Sequence, residues 1–282
     1  MKIDYLSDTH LDFWVNATKP NQHKLLKQLV DKIVPEESVR SKVLIIPGDI
    51  GHYNYQNAVF FEILTDYYEK VLWVHGNHDL YMITNSMQKE YNYNSLDKLS
   101  DMAERSDKIP NVHFLHGDKI TIDGKVFGGT GMWYDFEYSR IEWKYNKDMS
   151  MRLWHSFMND SRLIKLGKRE EFDPLKYFKE EYSLMEPIIS DLDVIISHVS
   201  PDWSRLVKQY IMPSSTFYHF DGSKLLEKTK QGSHWLYGHT HTPYHYTHKS
   251  GCVITCNPLG YPNERNIKSD ITFRNGIKTI KV

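Results

Sequence analysis

Val43-Leu44-Ile45-Ile46-Pro47-Gly48-Asp49 decides how this chain folds. Four consecutive aliphatic residues leave no polar face. The run therefore reads as a strand buried on both sides, the pattern of a parallel strand covered by helices. Gly48 permits a tight turn just past the strand, and Asp49 then sits at the strand's carboxyl end.

The same logic extends in both directions. Met1–Ser7 reads as a first buried strand. Leu25, Leu26, Leu29, Val30 and Ile33 make a helical stripe over 21–34, ending before Pro35. Phe60, Ile63, Leu64 and Tyr67 make another over 56–69, and Val71–His75 is the next strand. This β-α-β-α-β alternation implies an α/β sheet with helices on its faces. A polar helix is expected near 95–106, then strands at Val112–Leu115, Lys119–Ile122 and Val126–Gly129, with turns at Gly117-Asp118 and Asp123-Gly124. Val194–Ile196, Trp235–Tyr237 and Val253–Thr255 are further strands. Asp270–Phe273 and Ile277–Val282 read as a closing hairpin about Asn275-Gly276. One domain over 1–282 is expected. Residues 135–190, rich in charge and aromatics, are expected to form a helical insertion over the active-site rim. Within it Asp173-Pro174 has the form of a helix start, and Leu175, Phe178, Tyr182, Met185 and Ile189 give the stripe. Pro187 should kink or restart that helix.

Composition narrows the partners. Net charge is -1, which gives no overall pull toward nucleic acid or anionic membrane. No apolar run approaches the roughly 20 residues that span a bilayer. Strand-like sequence begins at Met1, so no signal peptide is expected. Cys252 and Cys256 read as buried small residues in a reducing compartment, so a cytoplasmic protein is expected.

Chemistry-bearing residues cluster after the strand-like runs: Asp8 and His10, Asp49, Asn77, His198, then His239 and His241. A separation of two places side chains on the same face of an extended chain. A carboxylate such as Asp49 has two oxygens and can bridge two cations. Two Asp, one Asn and four His offer mixed N/O ligation suited to Mn²⁺, Fe²⁺ or Zn²⁺. Two adjacent divalent ions make a hydroxide nucleophile and clamp a phosphoryl group. The remaining histidines, His75, His116 and His219 among them, read as packing or surface groups.

Asp8-Thr9-His10, Gly48-Asp49, Gly76-Asn77-His78-Asp79, His198 and Gly238-His239-Thr240-His241 together resemble the motif set of the calcineurin-like metallophosphoesterases. The resemblance implies a two-sheet β-sandwich flanked by α-helices, a four-layer α/β/β/α arrangement. It implies one metal held by Asp8, His10, Asp49 and His241. A second is held by Asn77, His198, His239 and the shared Asp49. The counterpart of His78 in such proteins faces the phosphate and stabilises developing charge or protonates the leaving oxygen, and Asp79 is expected to hydrogen-bond the other ring nitrogen of His78. The Asp-Arg-Gly that protein phosphatases carry after the second motif is missing, since Ile50-Gly51-His52-Tyr53 stands there. The expectation is a small-substrate phosphodiesterase or phosphatase, nucleotide-like in preference. The alternatives are a nuclease of the double-strand-break type and a non-catalytic scaffold. Phe13, Trp14, His52, Tyr53, Trp133, Tyr134 and Trp203 are candidate stacking residues at the rim, and the turn Asn257-Pro258-Leu259-Gly260-Tyr261 is a candidate rim element.

Overall fold

A computed structural model describes residues 1–264 and 276–282. The expected strand at Asp270–Phe273 lies outside the described residues. The strands are β1 (Lys2–Tyr5), β2 (Val43–Pro47), β3 (Lys70–Val74), β4 (Val112–Phe114), β5 (Lys119–Ile122), β6 (Lys125–Gly129), β7 (Val194–Ile196), β8 (His234–Tyr237), β9 (Tyr244–Thr247), β10 (Val253–Cys256) and β11 (Lys278–Lys281). Among the described residues they form two sheets, ordered β11-β1-β2-β3-β4 and β5-β6-β7-β8-β10-β9.

β1 through β4 run parallel, with β11 antiparallel on the edge. β6, β7, β8 and β10 also run parallel, and β5 and β9 close the second sheet antiparallel. Alternate residues separate the layers. Ile3, Tyr5, Val43, Ile45, Leu72, Val74, Phe127, Val194, Ile196 and Leu236 meet between the sheets. Leu44, Ile46, Val71 and Trp73 point the other way, into the core shared with the helices. Strands buried on both faces need apolar residues at every position, which is why Val43–Ile46 has no polar member.

The main helices are α1 (Gln22–Ile33), α2 (Asn54–Thr65), α3 (Ser95–Asp107), α4 (Lys147–Phe157) and α5 (Pro174–Met185). The Asp173 side chain accepts from the amides of Leu175 and Lys176, with Pro174 at the first position of α5. The helix ends at Met185, and a short 3-10 turn follows at Ile189–Asp191, beyond Pro187. Its buried face differs from the apolar stripe. Tyr177, Glu181 and Met185 are buried, whereas Leu175, Phe178 and Tyr182 are only partly so. Met185 and Tyr177 join the hydrophobic core there, with Leu175, Phe178 and Tyr182 packed against it, and Glu181 enters by hydrogen bonding. Among the described residues no helix is long and apolar enough to cross a membrane. Cys252 and Cys256 are buried and not joined by a disulfide.

Candidate metal centre

Parallel strands deliver their carboxyl ends to one edge, and the candidate ligands follow those ends. Asp8 and His10 follow β1, Asp49 follows β2, and Asn77 opens a short helical turn, Asn77–Leu80, after β3. His198 follows β7, and His239 and His241 follow β8. Asp8, His10, Asp49, His239 and His241 all adopt left-handed backbone, with φ of 51, 39, 55, 66 and 49°. Such residues cost about 1–3 kcal/mol each and persist where the surroundings impose them. Here the His239 amide donates to Asp8 Oδ1 at 2.8 Å, and the His10 amide to the Asp49 carbonyl at 3.0 Å. Gly48 and Gly76 let the loops close on one another. A Cβ on Gly76 would lie 2.3 Å from Asp49 Oδ1, and one on Gly48 would lie 2.7 Å from His198 Nδ1.

Side chains from four of the five motifs meet in two adjoining groups, Asp8–His10–Asp49–His241 and Asp49–His198–His239. Asp49 belongs to both. Its Oδ2 lies 3.7 Å from His10 Nε2 on one side and 3.3 Å from His198 Nε2 on the other. His241 Nε2 is 3.5 Å from Asp8 Oδ1 and 2.9 Å from His10 Nε2. Asn77 Oδ1 is 3.2 Å from His198 Nε2, which places it on the second group. Asp8, His10 and Asp49 are essentially inaccessible, and among the described residues no Lys or Arg is ion-paired with either carboxylate. Buried carboxylates facing convergent imidazoles fit a pair of divalent cations.

Outer partners aim the ligand atoms. His198 Nδ1 bonds the Pro47 carbonyl at 2.8 Å, leaving Nε2 for the cage. His239 Nε2 bonds the Phe217 carbonyl at 2.9 Å, which leaves Nδ1. His241 Nδ1 is held by Glu264 Oε2 at 2.7 Å. Asn77 Nδ2 donates to Tyr81 Oη at 2.8 Å and Asp160 Oδ1 at 3.0 Å, so its carbonyl oxygen faces inward. Glu264, Asp160 and Tyr81 went unmarked in the sequence because a lone carboxylate or phenol outside a motif carries no spacing signal.

His78 departs from expectation. Asp79 does not reach its ring. Asp79 Oδ2 accepts from the amides of Gly76 at 2.7 Å and Asp49 at 3.0 Å, and Oδ1 from Ile50 at 3.1 Å. Consecutive residues on a helical turn point in different directions, and Asp79 folds back onto the amides at the turn's start. His78 Nδ1 instead meets His52 Nε2 at 3.0 Å, and His52 Nδ1 meets Asp12 Oδ2 at 2.8 Å. Tyr261 Oη lies 3.2 Å from His78 Nε2.

Burial would raise the Asp49 carboxyl, but His198, His78 and His10 hold it well below the usual range. Burial likewise opposes charge on His198, and Asp49 and Asp8 overcome it, to about 9. His241 reaches about 10 against burial, through Asp8 and Glu264. Burial, reinforced by His198, lowers His239 to about 3, and burial lowers His78 to about 4. Burial and the nearby Asp49 raise Asp79 to about 6.

A cavity of about 580 Å³ opens over the cage. Phe157, Met158, Tyr210, Met212, Tyr218 and Tyr244 form its apolar wall, and Tyr261 reaches it from the Asn257–Tyr261 turn. Of the candidate stacking residues, Phe13 is half-exposed beside Tyr261, and His52 is buried behind His78. Trp14, Tyr53, Trp133, Tyr134 and Trp203 do not line the cavity. Trp14 Nε1 donates to the Gly260 carbonyl, and Tyr53 packs on Tyr55. Trp133 and Tyr134 are core, and Trp203 Nε1 faces Glu142.

A family model described as calcineurin-like phosphoesterase matches residues 1–243. An uncharacterized protein of Acanthamoeba polyphaga mimivirus is 28% identical over 283 residues, 94% of this chain and 92% of that protein. A phosphopantetheinyl hydrolase from Mycobacterium tuberculosis superposes with a TM-score of 0.71 at 16% identity, covering 99% of this chain and 95% of that one. That likeness shows the fold.

Proposed function

The chain belongs to the calcineurin-like phosphoesterase family, and from that premise we propose that it is a dinuclear hydrolase of small phosphodiesters or phosphomonoesters. Asp8, His10, Asp49 and His241 would hold one divalent ion, and Asp49, Asn77, His198 and His239 the other. Mn²⁺, Fe²⁺ and Zn²⁺ suit this donor set. Such a pair, when bound, lowers the pKa of water and neutralises charge on the phosphoryl oxygens. The observation that carries the reading is Asp49, one buried carboxylate set between two imidazole groups.

His78 handles the proton. Ionised Asp12 can only accept, so His52 Nδ1 donates to it. When His52 is otherwise neutral, its Nε2 accepts from His78 Nδ1, and His78 Nε2 then accepts from Tyr261. When His52 carries an additional proton, paired with Asp12, its Nε2 donates to His78 Nδ1. His78 Nε2 then bears hydrogen toward the cavity, placed to protonate a departing oxygen. Asp79 acts on the loop backbone and not on the ring.

The apolar wall suits an uncharged or planar arm on the substrate. Among the described residues no Lys or Arg lines the cavity, which favours a substrate whose anionic charge is confined to the reacting phosphoryl group over a nucleic acid. We read residues 1–282 as one domain, with 135–190 an insertion that supplies Phe157 and Met158 to the wall. The test is hydrolysis of bis-p-nitrophenyl phosphate and p-nitrophenyl phosphate with Mn²⁺, with a phosphopantetheinyl compound added to the panel on account of the superposed hydrolase. Metal-dependent turnover that Asp49→Ala abolishes supports the proposal. Activity indifferent to chelation or to Asp49→Ala defeats it, and preferential cleavage of linear DNA replaces it with a nuclease.

A further inference from the structure

A second set of convergent ligand atoms lies away from the cavity. His75 follows β3, His116 follows β4, and Glu181 projects from the buried face of α5. Glu181 Oε1 is 3.7 Å from His75 Nε2 and 3.6 Å from His116 Nδ1, and ligand atoms of the three lie within 4.8 Å of one another. These separations exceed a hydrogen bond. They match the spacings at the dinuclear centre, 3.3–3.7 Å between Asp49 or Asp8 and its imidazoles. Donors about 2.0–2.1 Å from a tetrahedral ion stand roughly 3.4 Å apart.

The chemistry agrees with the spacing. Glu181 is 1% exposed, and among the described residues its ion-pair partners are His75 and His116 alone. A carboxylate so buried is costly to ionise unless paired or hydrogen-bonded, and a cation at Oε1 would pair it. His116 Nδ1 is buried with no hydrogen-bond partner, although part of that side chain reaches solvent and leaves a route inward. The other Glu181 oxygen is anchored by the Met132 amide at 3.0 Å. Tyr177 Oη hydrogen-bonds His75 Nε2 at 2.8 Å and would yield that nitrogen to an ion. Gly131 makes room for the ring, since a Cβ there would lie 2.6 Å from His75 Nε2.

We propose that His75, His116 and Glu181 form a third metal site, for a divalent ion of the zinc class, that fastens α5 to the ends of β3 and β4. Two imidazoles and a carboxylate are a common zinc donor set. Metal content tests this without recourse to activity. The Zn²⁺-loaded protein, freed of excess metal, should hold about three ions per chain, and both His116→Ala and Glu181→Gln about two. His116 is partly exposed, so its replacement keeps the test available if Glu181→Gln fails to fold. In an Asp8→Ala/Asp49→Ala background about one ion should remain, and Co²⁺ there should give the visible bands of four-coordinate cobalt, absent once His116→Ala is added. About two ions in the native protein, undiminished by His116→Ala, would overturn the third site and leave the dinuclear centre standing. A protein that holds no metal would overturn both.

Discussion

His52 Nε2 lies 3.0 Å from His78 Nδ1, so the imidazole facing the cavity is steered by a second imidazole, itself held by Asp12. The orientation of His78 and its proton supply both depend on a residue outside the metal motifs. His52→Ala should lower kcat roughly 10–100-fold, with metal content unchanged, and His78→Ala should lower it further. Asp12→Asn should resemble His52→Ala. Steady-state kinetics with parallel metal analysis checks this. Metal loss in His52→Ala would show that the ring supports the cage instead.

Gly76→Ala tests the packing of the loops. Gly76 has an ordinary φ of -115°, so alanine brings no backbone strain. Its Cβ would instead lie 2.3 Å from Asp49 Oδ1, 2.7 Å from the Asp49 backbone nitrogen and 2.8 Å from His198 Cε1, displacing the shared carboxylate together with its loop. Metal affinity should fall at least ~10-fold while the fold survives. Titration calorimetry measures it, and native affinity in Gly76→Ala would mean that Asp49 is free to move.

Metal uptake should release protons. In the metal-free protein His198, near 9, and His241, near 10, are both protonated at pH 7.5. Each must shed its proton to ligate, so affinity should rise with pH, with about two protons released per chain from these rings in addition to any from metal-bound water. Calorimetry in buffers of different ionisation enthalpy counts them. Uptake without proton release would contradict the assignment of His198 and His241 as ligands.

Acid stability should depend on His219. Burial lowers its pKa to about 4 from an ordinary 6.5, with Nδ1 on the Asp202 carbonyl at 3.0 Å. The unfolded chain binds the proton more readily. The stability this ring contributes is therefore complete above pH 6.5 and is lost as pH falls toward 4, by ~3 kcal/mol. Denaturant titrations between pH 7 and 4 should show a shallower decline in His219→Gln. An identical decline would place the acid-sensitive group elsewhere.

The sheets and the cage were legible in the sequence for one physical reason. Parallel strands buried on both faces write continuous apolar runs such as Val43–Ile46, and function sits just past their ends. The pairing of His10 with His241 came from the resemblance to the family's motif set, since His239 and His241 close the same run. What stayed hidden depends on contacts between distant segments. Glu264 behind His241 and Asp160 behind Asn77 are single carboxylates without spacing. Asp79 was assigned to His78 by adjacency, although neighbours on a helical turn diverge. The stripe Leu175, Phe178, Tyr182, Met185 and Ile189 does meet the core, but it left out Tyr177 and Glu181, which face inward and hydrogen-bond.

The bridging role of Asp49 is tested most directly by electron paramagnetic resonance of the Mn²⁺-loaded protein. Two ions sharing that carboxylate, roughly 3.5–4 Å apart, should give an exchange-coupled spectrum. Asp49→Ala should abolish the coupled component together with phosphoester hydrolysis. A native spectrum with no coupled component, showing only isolated Mn²⁺, would contradict the dinuclear account.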